Sequence, residues 1–152
     1  MESLIVHLTD EALDIAALAA ALDGDSTAGA LASFTGQVRG SDGLTALELQ
    51  CHRVMTRQAL ERIGQHAIET FSLRALLIAH RHGRMRPGEA IVHIAATAAH
   101  RRGALEAVSY VIDVLKTDAP FWKREWHGGD HVWIESTPDD QARAAKWLET
   151  TE

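Results

Sequence analysis

Two lysines seven residues apart, Lys116 and Lys123, stand in the segment Leu115-Lys116-Thr117-Asp118-Ala119-Pro120-Phe121-Trp122-Lys123-Arg124-Glu125. An amine with a usual pKa of about 10.4 moves toward neutrality when it is desolvated or set beside another cation, and can then act as general acid, base or nucleophile. Pro120 restricts the turn between the two lysines, so that both can project toward one space, and Phe121 and Trp122 would shield one side of it from water. Strand alternation puts Lys123 and Glu125 on the same face, where the carboxylate would orient the ammonium while opposing any fall in its pKa. On composition alone the commoner arrangement is a helix-terminal lysine answering the helix dipole and a surface lysine on an edge strand.

His100-Arg101-Arg102 follows an expected strand and opens an expected helix, where free backbone amides and two guanidinium groups can hold a phosphate or another anion. A solvated basic loop reads the same way. Arg39, just past Thr35-Gly36-Gln37-Val38, is a third candidate cation beside a glycine-bearing loop. Cys51 is the single cysteine, so an intramolecular disulfide is impossible. A thiolate there could relay sulfur as a persulfide, although a small apolar role in a sheet is more usual. Among the 9 histidines, His80, His82 and His93 fall on neighbouring expected strands, but no Cys-x-x-Cys or His-Glu-x-x-His spacing supports a metal site and none is expected. Trp122, Trp126, Trp133 and Trp147 are read as core or interface residues.

The elements that must position these groups follow from periodicity. Thr9 and Asp10 are expected to cap a helix carrying Leu13, Ala16, Ala17 and Ala20, stopped by Asp23-Gly24. Ala30 to Val38 reads as a strand in which Gly36 marks a bulge, and Leu44 to Cys51 as a second strand forming a hairpin with it. Leu60, Ile63, Ala67 and Phe71 step by three and four along a helix that begins near Thr56. Strands Ala75 to Arg81 and Ala90 to Thr97 form another hairpin, with Arg86-Pro87-Gly88-Glu89 as a type II turn before the second. A helix runs from Gly103 to Lys116, stopped by Asp118-Ala119-Pro120. Phe121 to Trp126 and Val132 to Glu135 are short strands, and Thr137-Pro138-Asp139-Asp140 opens a final helix. Hairpins mixed with helices point to an α+β fold with a mostly antiparallel sheet.

The totals are those of one ordinary globular domain, residues 1–152, with 46% hydrophobic and 24% charged residues. A net charge of -6 argues against a nucleic-acid partner. The longest apolar run, Ala12 to Leu22, is interrupted by Asp14 and falls short of a membrane span. No export signal is recognised, so a cytoplasmic location is expected.

Phe34-Thr35-Gly36-Gln37-Val38-Arg39, Gly83 with Pro87-Gly88-Glu89, Ala99-His100-Arg101, and Leu115-Lys116-Thr117 with Ala119-Pro120-Phe121-Trp122-Lys123-Arg124-Glu125 together resemble the catalytic, large-subunit family of molybdopterin synthases. The likeness runs from Ala30 to Trp147. It implies an α/β-hammerhead-like fold and a homodimer with a small ubiquitin-like sulfur carrier at each end, a heterotetramer in all. The carrier's C-terminal Gly-Gly tail, ending in a thiocarboxylate, would reach into a pocket and pass sulfur to cyclic pyranopterin monophosphate, forming the dithiolene of molybdopterin. No cofactor is implied. By motif match Lys116 would meet the thiocarboxylate, Lys123 would assist proton transfer, and Arg39, His100 and Arg101 would bind phosphate and pterin, some of them serving the neighbouring subunit. Arg102 and Glu125 are possible helpers.

The chain departs from the family pattern at Gln50-Cys51-His52-Arg53-Val54, where Glu-His-Tyr-Pro-Gly is usual, which loses a carboxylate and a tight turn. The loop after Arg39 looks short, and Ala99 stands where serine is common. These departures keep two other readings open: a non-catalytic paralogue that serves as a carrier-binding scaffold, and a sulfurtransferase working through Cys51.

Overall fold

The computed structural model describes residues 3–135 and 138–151. In chain order the elements are β1 (Ser3–Thr9), α1 (Ile15–Ala20), β2 (Ala30–Gln37), β3 (Ala46–Cys51), α2 (Arg53–Phe71), β4 (Leu73–Arg81), β5 (Gly83–Met85), β6 (Ala90–Ala98), α3 (Arg101–Asp118), β7 (Phe121–His127), β8 (Asp130–Ile134) and α4 (Pro138–Thr151). The fold is α+β, and its strands make two sheets of four, ordered β1-β4-β6-β2 and β5-β3-β7-β8. Among the described residues only the β1–β4 pair is parallel.

The central strands β4 and β6 of the first sheet are buried on both sides, which explains the unbroken apolar run of β4, whereas the edge strands β1 and β2 alternate with exposed residues. Leu76 and Ile78 turn to a core shared with Leu60 and Ile68 of α2 and Val111 of α3. Leu77 and Ala79 turn the other way, toward Leu22 and the α1 side. Fully burying a leucine or isoleucine side chain contributes roughly 1.5–3 kcal/mol, so this two-sided layer outweighs the weak intrinsic preference of any single element. No helix of the described residues is long and apolar enough to cross a membrane.

Several expectations need correction. The segment Ser3–Thr9 is a strand, with Leu4, Val6 and Leu8 packed on the main core. The helix behind it is only six residues long and is capped by Asp14, whose side chain accepts from the Ala17 amide at 3.1 Å, and not by Thr9 or Asp10. β2 and β3 form no hairpin: β2 pairs with β6, whereas β3 enters the other sheet between β5 and β7. The chain after β2 stays tied to the neighbouring turn, because the Val38 amide donates to the Glu89 carbonyl at 2.9 Å and the Val38 carbonyl accepts from Gly88 at 2.8 Å.

The β4–β6 pair is antiparallel as expected, but its connection carries β5 across to the second sheet. The bulge at Gly36 is present as a register shift between Gly36 and Gln37. Gly88 has a φ of 92°, and the Glu89 amide donates to the Arg86 carbonyl at 3.1 Å, the geometry of a type II turn. The capping residue expected for α4, Thr137, lies outside the described residues. α4 itself docks on α3 through Trp147, whose Nε1 donates to Asp113 Oδ2 at 2.8 Å and whose ring meets Tyr110 edge-on.

A candidate active cleft between the two sheets

Where α3 ends, the first sheet runs on beyond it, and the second sheet closes over the exposed strip to leave a cleft of about 780 Å³. The floor is a row across three strands: His80 on β4 is paired with Val92 on β6, which is paired with Gly36 on β2. The last turns of α3 supply Ile112, Leu115 and Lys116. The opposite wall comes from Leu47 and Leu49 on β3, Phe121 and Lys123 on β7, and Trp133, Ile134 and Glu135 at the end of β8. Lys123 is in register with Leu49 on one side and Ile134 on the other. Gly36 is required here, since a Cβ would come within 2.9 Å of Val92 Cγ1 and into the floor.

Lys116 and Lys123 therefore line one mostly apolar cleft, as their spacing suggested. The turn joining them is pinned from outside, because the buried Thr56 hydroxyl donates to the Pro120 carbonyl at 3.0 Å. Both lysine side chains are exposed in the half-open cleft, so the shielding from water that the sequence implied must come from whatever enters. Glu125 does not orient Lys123: its carboxylate lies 3.7 Å from His127 Nε2, and among the described residues Lys123 makes no ion pair. Trp122 and Trp133, read as core or interface, are 57% and 49% exposed and line the cleft.

The other candidate cations are dispersed. Arg39 is exposed and two residues past Gln37, a cleft residue, which places it at the rim. His100 is the N-cap of α3 and Arg101 its first residue, at the far end from Lys116. Fifteen residues at a rise of 1.5 Å put Arg101 roughly 22 Å from Lys116 along the helix axis. Arg102 is engaged with Glu106 at 3.5 Å.

The second sheet is braced on its other face by Glu48. Its carboxylate accepts from Arg124 Nη2 at 2.7 Å, Trp126 Nε1 at 3.0 Å and Gln50 Nε2 at 2.8 Å. Arg124 in turn lies over the rings of Trp126 and Trp133, at 4.9 and 4.8 Å from their centroids. The Arg124 hydrogen bond foremost, against the cost of burial, holds the Glu48 carboxyl down at about 2. A carboxyl whose folded pKa lies below its unfolded value near 4.5 stabilises the fold above that value and loses this contribution as pH falls toward 2. The melting temperature of Glu48→Gln is therefore expected below wild type at pH 6, with the gap closing between pH 5 and 2. A constant gap in a thermal-melt series over that range would contradict the assignment.

The departures at residues 50–54 acquire local reasons. Gln50 serves the Glu48 brace, and His52 replaces a tight turn with a helix cap, its Nδ1 accepting from the Met55 amide at 3.3 Å. Cys51 is partly buried opposite Phe121, and burial pushes its thiol pKa up, the wrong direction for a nucleophilic thiolate. Of the three histidines expected on neighbouring strands, His82 lies between β4 and β5, and the two on strands are employed separately. His93 Nδ1 is hydrogen-bonded to the Thr35 hydroxyl at 2.8 Å, and His80 stacks on Phe121. Among the described residues no group of three or more His, Cys, Asp and Glu side chains is placed to hold a metal ion.

His80, Trp133 and Glu135 were not foreseen as cleft residues. A polar histidine ending the apolar run Leu-Leu-Ile-Ala of β4 was the one available sign.

Fold and cleft together define a class, an α+β protein whose two sheets enclose a mostly apolar cleft lined by two amines. The family model described as MoaE protein matches residues 8–118. The molybdopterin synthase catalytic subunit of Caulobacter vibrioides is 44% identical over 147 residues, covering 95% of this chain and 97% of that protein. The molybdopterin cofactor biosynthesis protein E of Burkholderia multivorans superposes with a TM-score of 0.82 at 36% identity, over 96% of this chain and 97% of the other. A protein–protein complex of subunits 1 and 2 of the molybdopterin-converting factor from Helicobacter pylori contains a chain of the same fold, with a TM-score of 0.72 at 23% identity over 86% and 89% of the two chains. The chain belongs to the MoaE family.

Proposed function

We propose that this protein is the catalytic subunit of a molybdopterin synthase, acting in the cytoplasm. It transfers sulfur from the C-terminal thiocarboxylate of a small carrier protein to cyclic pyranopterin monophosphate twice, one sulfur from each of two carriers, so that each carrier is left with an ordinary carboxylate and the pterin, its cyclic phosphate opened, with a dithiolene. The observation that carries this reading is the placement of Lys116 and Lys123 around one cleft with apolar walls and a glycine in its floor. Such a channel accepts an extended Gly-Gly tail, which has no side chains to clash, and brings its anionic end to the amines. Lys116, at the C-terminal end of α3, meets the thiocarboxylate, and Lys123 moves the proton at the pterin side chain. The Helicobacter pylori complex, similar in fold, supports a small-subunit partner.

Arg39 at the rim binds phosphate. His100 and Arg101 are too far along α3 to reach the same cleft, so they serve the cleft of a second copy in a homodimer, with Arg102 as a helper; each homodimer carries two carriers. Glu125 acts only through its own strand.

The test mixes pure protein with thiocarboxylated carrier and the pterin precursor and measures the dithiolene as its stable oxidised derivative. Carrier binding without product would establish a scaffold and overturn the enzymatic reading. Cys51→Ala is expected to keep at least half of the wild-type rate in this assay; its complete loss would favour a persulfide relay.

A further inference from the structure

The sulfur transfer described above leaves the most buried polar side chain of the cleft lining without a role. His80 is 7% exposed, sits at the end of β4 and borders the same cavity as both lysines. Its ring is clamped against Phe121 with centroids 4.1 Å apart and planes 22° from parallel. Its Nδ1 lies 3.0 Å from the Arg81 carbonyl oxygen.

That contact settles the tautomer by chemistry. A carbonyl oxygen only accepts, so Nδ1 must carry the proton, and in a neutral ring Nε2 is then an unprotonated acceptor. Burial holds the ring neutral, bringing its pKa down to about 4; the hydrogen bond to Arg81 acts the other way, and the charges of His82 and Lys116 add to the lowering. With Nδ1 engaged, Nε2 is the edge of the ring left for the cavity.

Thr35, Gln37 and Glu135 also bring acceptor oxygens to the cleft, but the Thr35 hydroxyl is engaged with His93 and the other two side chains are exposed, so His80 is the buried, clamped acceptor of the floor. The other polar groups assigned to substrate, Lys116, Lys123, Arg39, His100 and Arg101, are donors when charged, and donors read phosphate and thiocarboxylate. A pterin also presents N–H donors, which need an acceptor. We propose that His80 Nε2 accepts a hydrogen bond from an N–H or O–H group of the pterin precursor and so holds it against the cleft floor between the two lysines, an inference that rests on the sulfur-transfer reading.

Two variants separate this role from a structural one. Glutamine places its carboxamide near the position of Nε2, whereas asparagine places it near Nδ1 and can keep the bond to Arg81. The proposal expects His80→Asn to raise the KM for the precursor about tenfold, with kcat and the Kd of the carrier little changed, because it removes an interaction made equally in ground and transition states. His80→Gln should return most of that loss. A purely structural anchor predicts the reverse order, and equal KM values or Asn outperforming Gln would overturn the proposal. Long-range proton–nitrogen NMR of the unliganded wild-type protein at pH 7 should show His80 neutral with the proton on Nδ1. An Nε2–H or doubly protonated ring overturns it whether or not the protein folds as a variant. If wild type makes no dithiolene, the sulfur-transfer reading fails by itself, and the NMR result still judges the tautomer on which the acceptor depends.

Discussion

Lys116→Ala and Lys123→Ala are each expected to lower dithiolene formation by about 100- to 10,000-fold, the range that a positioned proton donor or acceptor contributes. Both side chains are exposed, so circular dichroism should match wild type; Lys116→Ala also removes a cation from the last turn of α3, so its melting temperature is expected slightly lower. The two losses should differ in kind. Lys123→Arg retains charge but not a removable proton, since a guanidinium stays protonated, and should remain near the alanine rate. Lys116→Arg retains the cation that meets the carrier's anionic end and should recover carrier affinity. Single-turnover rates with saturating carrier separate these effects. Activity within tenfold of wild type in both alanine variants would end the two-amine mechanism.

Mixing two inactive variants should restore activity. If His100 and Arg101 reach across a homodimer, then Lys116→Ala and Arg101→Ala damage different halves of each composite site. In a mixed dimer one cleft receives both defects and the other receives none. Random reassociation of equal amounts makes half the dimers mixed, so about a quarter of all clefts become intact by the twofold arithmetic of an isologous dimer. If all the groups acted within one chain, every cleft would keep one defect and mixing would restore nothing. The geometry favours the first outcome, because Lys116 and Arg101 occupy opposite ends of α3. The measurement is the product rate after co-refolding or subunit exchange, set against each variant alone. A rate no higher than the average of the two variants would place His100 and Arg101 outside the partner's site.

Much of the fold was readable because helix and strand periodicity are local. The stripe Leu60, Ile63 and Ala67 reappears as the buried face of α2, and the helix expected over Gly103 to Lys116 lies within α3. The bulge at Gly36 and the turn at Pro87-Gly88 were legible because glycine and proline restrict the backbone wherever they stand. What misled was pairing. β2 and β3 are adjacent in sequence and looked like a hairpin, yet β3 finds better cross-strand partners in β7, where Glu48 faces Arg124. β1 was overlooked although Leu4, Val6 and Leu8 alternate, since among the described residues it pairs with β4, 72 residues further on at Ser3↔Ala75.

The candidate site divides along the same line. That Lys116 stands in the last turn of a helix and Lys123 on a strand three residues past Pro120, ready to project near one another, is a property of one short segment and needed no coordinates. Most of the rest of the cleft, with His80, Gly36, Leu49 and Ile134 in it, comes from strands far apart in the chain. Their convergence depends on register and on which sheet each strand joins. Those choices are settled by competition among long-range pairings for buried area and hydrogen bonds, and no window of local sequence contains the competitors.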